Sequence, residues 1–207
     1  MQQRGKVWLI TGINGAGKGS AGQRAVELLA EQGVVVSYVY GPGLSTATRW
    51  MQQIVLDEVI SPKDRFAQAL LYFAIHAEVA ATLAVRLERG ENILLDRGPE
   101  TTLIYNVLEA GLDENQALLS TFAQIRDTLA PALTMLLDLP AEVALARSGK
   151  QKITDQFQTV GMEKYERRRE LYRQLAQQEK GWVMVDATRP LEEVAREVAG
   201  FMLATLK

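Results

Sequence analysis

Residues 12–20 read GINGAGKGS, and the stretches on either side of them decide the fold. Before them stands VWLIT, residues 7–11, an apolar run of strand length; after them residues 21–32 carry a helical pattern. A glycine-rich turn between a strand and a helix lines up successive backbone N–H groups into a concavity for anions, and the helix adds the positive end of its dipole. From such a loop Lys18 reaches the outer phosphates of a nucleotide. Gly12, Gly15 and Gly17 stand where a Cβ would block the curvature or the close approach. A glycine-rich turn alone is often only a turn, but strand, loop, lysine and helix in register point to a bound nucleoside triphosphate. Its phosphates would lie against Asn14, Gly15, Ala16, Gly17, Lys18, Gly19 and Ser20.

Further apolar runs of strand length recur at 34–40, 92–96, 133–139 and 182–186, separated by stretches rich in Ala, Leu, Glu, Gln and Arg. That alternation is the mark of βαβ units, so the chain predicts an α/β fold, a five-stranded parallel sheet with helices on both faces. Gly33, Gly90 and Gly181 sit just before strands, where helix-ending glycines belong. The longest predicted helix covers about 63–89, with Phe66, Leu70, Phe73, Ala77, Ala80, Ala84 and Leu87 as its core stripe. A second long helix over 161–180 alternates Arg167, Arg168, Arg169 and Arg173 with glutamates and reads as a solvated face of i,i+4 pairs. Between helical patterns, 148–159 (SGKQKITDQFQT) has no apolar period and reads as a lid.

A chain of 207 residues fits one domain, here taken as residues 1–207 with that lid. Lys and Arg total 23 against 25 Asp and Glu, so no basic excess points to nucleic acid or an anionic membrane surface. The absence of cysteine excludes disulfides, thiolate metal sites and a cysteine nucleophile, and His76 as the one histidine excludes multi-histidine metal sites. No signal-peptide core is visible, and no run reaches the ~20 uninterrupted apolar residues of a membrane span. The reading is a soluble cytoplasmic protein.

The third strand ends in Asp96 and Arg97, at the carboxyl edge of the sheet. A carboxylate there suits Mg2+ or its water shell, and an arginine suits a transferring phosphoryl group. A surface ion pair capping a helix is the plainer alternative. In the loop the hydroxyl falls one place after Gly19, at Ser20, a form that resembles adenylate kinases; Ser20 is therefore the weaker magnesium candidate beside Asp96.

These residues resemble thymidylate kinases, the P-loop enzymes that pass the ATP γ-phosphoryl to dTMP. The likeness spans GINGAGKGS, GPG at 41–43, LLYFAIHAEV at 70–79, DRGPETTLIYN at 96–106, LLDLPAEVALAR at 136–147, DQFQ at 155–158 and DATRPLEEV at 186–194. It implies the three-layer P-loop NTPase fold with strand order 2-3-1-4-5, a small lid, ATP and Mg2+ as cofactors, a nucleoside monophosphate substrate and a homodimer. It implies Lys18 on the ATP phosphates, Asp96 on magnesium and Arg97 on the phosphoryl groups. Tyr105, with Thr101 and Thr102 beside it, would face the acceptor deoxyribose, and Tyr72 would stack on the base. Packing alone is the other reading of both tyrosines.

The chain departs from the family where the acceptor binds. A phosphate-gripping arginine falls on Tyr40, the base-reading arginine on His76, the loop aspartate on Asn14, and the lid's Asp-Arg pair reads Asp155-Gln156. Arg147, Lys150 or Lys152 would supply the missing lid charge, although lysine lacks the guanidinium fork. A neutral imidazole at His76 offers one donor and one acceptor, which predicts weak use of dTMP and a better acceptor among related pyrimidine monophosphates. A core histidine is the alternative there. A nucleotide-binding module without transfer is the rival to the kinase as a whole.

Overall fold

A computed structural model describes residues 4–148 and 161–206 of the chain. Five strands form one sheet: β1 Val7–Thr11, β2 Ser37–Tyr40, β3 Ile93–Asp96, β4 Leu133–Asp138 and β5 Trp182–Asp186, in the order β2-β3-β1-β4-β5 with every pairing parallel. β1 is buried throughout because both faces of a central parallel strand are covered, hence its unbroken apolar reading. Its side chains alternate between two cores. Trp8 and Ile10 join Leu29, Tyr172, Val198 and Met202 on one side. Val7 and Leu9 join Phe73, Leu83 and Leu118 on the other. The first layer is built by α1 (Lys18–Ala30), α7 (Met162–Gln178) and α8 (Leu191–Leu206); the second by α2 (Thr46–Leu56), α3 (Arg65–Glu88) and α5 (Gln116–Leu129). The short helices α4 (Pro99–Thr102) and α6 (Ala141–Ser148) stand at the carboxyl end of the sheet.

Three sequence expectations shift. β2 starts at Ser37 rather than 34, because as an edge strand it pairs only with β3, whose first residue Ile93 meets Ser37. α1 starts at Lys18 rather than 21: Gly17 adopts φ 84°, and the Ala21 N–H donates to Gly17 O at 2.9 Å. On α3 the buried face runs through Ala69, Phe73, His76, Val79, Ala80, Leu83 and Leu87, while Leu70 of the expected stripe is 40% exposed and Ala77 is exposed too. α3 is apolar nearly all round, so several faces satisfy the same spacing. By length and composition it could cross a membrane, but its inward face is built into the second core. Gly33, Gly90 and Gly181 all stand at positive φ, as helix-ending glycines do.

The sheet register positions the functional residues. Ile10 of β1 lies level with Asp96 of β3, which lies level with Tyr40 of β2. The start of the glycine loop, the acidic end of β3 and Tyr40 thus meet in one row at the carboxyl edge, where open α/β sheets bind ligands.

Candidate active site

The loop after β1 is held against α6. Gly15 has φ 82°, and a Cβ there would lie 2.0 Å from Ala144 O, so only glycine fits. The loop leads into α1, whose first-turn N–H groups lack intrahelical partners and so suit an anion. Lys18 curls back into this cradle: its Nζ donates to Gly12 O at 2.8 Å and Ile13 O at 3.0 Å. Burial, reinforced by Arg97 and partly countered by Asp96, lowers its pKa to about 7. The cradle opens as a cavity lined by Gly15, Gly17, Lys18, Gly19, Ser20, Tyr40, Asp96, Arg97 and Arg147. Ser20 is exposed at its rim. Arg147 stands in the last turn of α6, donates to Ala187 O at 2.9 Å and lines the cradle wall. Ala16 is buried and stands behind the cavity.

Asp96 is 5% exposed; its Oδ2 accepts a 2.6 Å hydrogen bond from the Tyr38 hydroxyl, while its Oδ1 is buried without a partner among the described residues. No group of three or more carboxylates or histidines able to hold a metal occurs among the described residues. A single carboxylate beside a phosphate cradle does fit Mg2+, which prefers one or two carboxylates and completes its shell with phosphate and water oxygens. Arg97 sits at φ 67°, left-handed backbone that strains a non-glycine residue by roughly 1–3 kcal/mol, a cost met mainly at functional sites. Its Nη2 donates to Asn14 Oδ1 at 2.6 Å. Burial opposes the Arg97 charge, but Tyr40, Tyr105 and Asp96 more than offset it and keep the guanidinium protonated.

A second cavity, about 710 Å³ with its open mouth, lies on the other side of Arg97. Tyr40, Tyr72, His76, Arg97, Thr101, Thr102 and Tyr105, all named from the sequence as acceptor residues, line it together. Asn14 lines this cavity and not the phosphate cradle, because its side chain turns to Arg97. His76 is 3% exposed; burial, and then Arg97, lower its pKa to about 3, so the imidazole is neutral, and Nδ1 has no partner among the described residues. Tyr105 belongs to a π-helical turn, Leu103–Leu108, that continues α4, and such turns are frequent at functional sites. Its ring lies 4.1 Å beneath the Arg168 guanidinium and packs edge-on against Tyr172 at 6.4 Å.

Sequence reasoning missed several neighbours. Gln52 donates to the Tyr40 hydroxyl at 3.2 Å, and Asn106 completes the cavity wall. The arginines of α7 are not a solvated row of i,i+4 pairs. Arg168 is 4% exposed and bonds Glu109 through Nε at 2.5 Å, and Arg169 grips both oxygens of Asp138 at 2.7 and 3.1 Å. An alternation of Arg and Glu along a helix signals pairing, but not that the partners come from other elements. Ser148 closes α6 and is buried against the Tyr165 hydroxyl, so it stands outside any lid. Lys150, Lys152 and Asp155 lie outside the described residues.

Tyr40 and Arg97 line both cavities, so a group bound in one meets a group bound in the other across Arg97. Comparison with known proteins gives a family for the chain. The family model for thymidylate kinase matches residues 10–198. The thymidylate kinase of Pseudomonas entomophila is 32% identical over 201 residues, covering 96% of this chain and 95% of that protein. That of Pseudomonas putida is 32% identical, with 96% of each covered, and that of Symbiobacterium thermophilum 31% identical, with 90% and 87% covered.

Proposed function

From the premise that the chain belongs to the thymidylate kinase family, we infer that it transfers the γ-phosphoryl group of ATP to dTMP, giving ADP and dTDP. The observation that carries this reading is the pair of adjacent cavities with Arg97 and Tyr40 in the wall of each. ATP lies with its phosphates in the loop cradle, and dTMP lies in the neighbouring cavity with its phosphate toward Arg97. Phosphoryl transfer asks little covalent chemistry of a protein, so positioning and electrostatics supply the rate. Lys18 meets the β- and γ-phosphates, the first-turn amides of α1 hold the anion, and Arg97 lies between donor and acceptor to meet the charge that develops on the moving group. Asp96, with Ser20 at the rim, would hold Mg2+, which would supply positive charge against the phosphates. Tyr72 offers a face to the base, His76 a donor and an acceptor, and Tyr105, with Thr101 and Thr102, bulk against a 2′-hydroxyl.

The same reading takes residues 1–207 as one kinase domain with a lid at 149–159, after the buried Ser148, that excludes water. It places the protein in solution in the cytoplasm, where its nucleotide substrates are. It includes a homodimer, supported by the outward face of α3, where Leu70, Ala74, Ala77, Ala81 and Val85 recur at helical spacing and are all exposed, with Val85 53% open to solvent. The test is ADP release from ATP and Mg2+ with and without dTMP. The reading expects dTMP-dependent release that Lys18→Ala abolishes while the protein stays folded. Release that ignores dTMP, or near-normal turnover in the variant, contradicts it.

A further inference from the structure

In phosphate loops the residue after the lysine commonly carries a hydroxyl that meets the metal. Here that residue is Gly19, and the side chain of Ser20 points to the exposed rim. The space over Gly19 is nevertheless filled. Tyr38, on the edge strand β2, lays its ring across the first turns of α1. Its Cε2 lies 2.8 Å from where a Cβ on Gly22 would stand, and its hydroxyl 3.6 Å from where a Cβ on Gly19 would stand. Two glycines three apart on one helix face therefore make the bed for this ring. The same hydroxyl donates to Asp96 Oδ2 at 2.6 Å, and Asp96 Oδ1 is left buried and without a partner among the described residues. That Cβ on Gly19 would also lie 4.0 Å from Asp96 Oδ2, so glycine, tyrosine and carboxylate converge on one point.

We propose that Tyr38 supplies, from the neighbouring strand, the hydroxyl that the loop lacks at Gly19, and is a positioning residue that fixes the Asp96 carboxylate through Oδ2, the oxygen beside Gly19. This rests on the kinase reading above, in which Asp96 serves Mg2+. A carboxylate at a strand end can rotate, and a single strong O–H···O bond to one oxygen removes that freedom. Partners of metal-binding carboxylates carry weight in metal affinity because they fix the ligand before the ion arrives.

The test is Mn2+ affinity of the ADP complex, read by paramagnetic resonance of free Mn2+, in wild type, Tyr38→Phe and the double variant Tyr38→Phe/Gly19→Ser. Phe keeps the ring on its glycine bed, and a serine Cβ at Gly19 meets only ordinary contacts, so both variants should fold; thermal melting checks this. Tyr38→Phe should weaken Mn2+ binding by about tenfold, leave ADP binding without metal unchanged, and recover kcat at high Mg2+. The added Gly19→Ser should restore metal affinity from the loop side. Wild-type metal affinity in Tyr38→Phe, or a loss that Gly19→Ser does not repair, overturns the proposal. A purely structural role would lower melting temperature and metal-free ADP binding instead, which also overturns it. Failure of the kinase reading shows separately, as wild-type protein that makes no dTDP while its metal titration remains readable.

Discussion

Nucleotide binding at alkaline pH should draw a proton onto Lys18. In the free protein burial, and then Arg97, lower its pKa to about 7, and two carbonyl oxygens and the charge of Asp96 answer its ammonium only in part. Phosphate oxygens in the cradle supply the missing negative charge and return the group to its ordinary alkaline range. With a free-state pKa of about 7, about one-tenth of molecules carry the charge at pH 8, so binding takes up about 0.9 proton there and only about 0.1 at pH 6. Affinity should fall about tenfold, or about 1.4 kcal/mol, for each pH unit above 7, since only the protonated fraction binds. The same linkage acts on folding. The unfolded chain holds the Lys18 proton up to its ordinary pKa of 10.5, so between about 7 and that value it binds more protons than the folded one. The stability of the ligand-free protein therefore gains a Lys18 contribution as pH rises through that window, and loses it on acidification. Calorimetry of ATP binding at pH 8, where nucleotide phosphates are already ionised, in buffers of different ionisation enthalpy, reads the proton count. Uptake at pH 8 no greater than at pH 6 refutes the argument.

Arg97→Ala should lower kcat by at least about a hundredfold with the melting temperature little changed, since it removes charge from the transferring group; a loss confined to stability would return Arg97 to a structural ion pair. His76→Arg should move the acceptor profile toward dTMP relative to other pyrimidine monophosphates, because a guanidinium only donates where the neutral imidazole also accepts; an unchanged profile removes His76 from base recognition. Arg126→Ala should destabilise the fold by about 3–5 kcal/mol, because it strands the fully buried Glu100 carboxylate that it pairs with. Burial raises the Glu100 pKa, and Arg126 is what opposes that rise, so the variant should melt higher at pH 5 than at pH 7.5 as the carboxyl becomes protonated; an identical response in wild type and variant refutes the assignment.

Much of the fold is legible in the sequence because central parallel strands must be apolar on both faces, so VWLIT, ILLD and LTMLLD stand out against their helical surroundings. Strand order is not legible in that way: periodicity says which runs are strands, not which are neighbours, and 2-3-1-4-5 came from the family resemblance. The candidate acceptor residues were readable from the motifs at 70–79 and 96–106, and the structure brings them to one cavity. Tyr38, Gln52 and Arg168 were not, since each acts through a partner far along the chain: Asp96, Tyr40 and Glu109. The alternation of β2 makes Tyr38 look like any strand aromatic, and only the glycines at 19 and 22 hint at what lies over them. The inward face of α3 was misread for a different reason, because a helix rich in Ala, Leu and Val has no polar side to orient it.

The central claim is that one phosphoryl group passes between two cavities across Arg97. ATP labelled in its γ-phosphate, incubated with Mg2+ and dTMP, tests it in one measurement. The account predicts label in dTDP in one-to-one proportion with ADP, and almost none in inorganic phosphate. Label that remains in ATP, or is released to water without reaching dTDP, contradicts it.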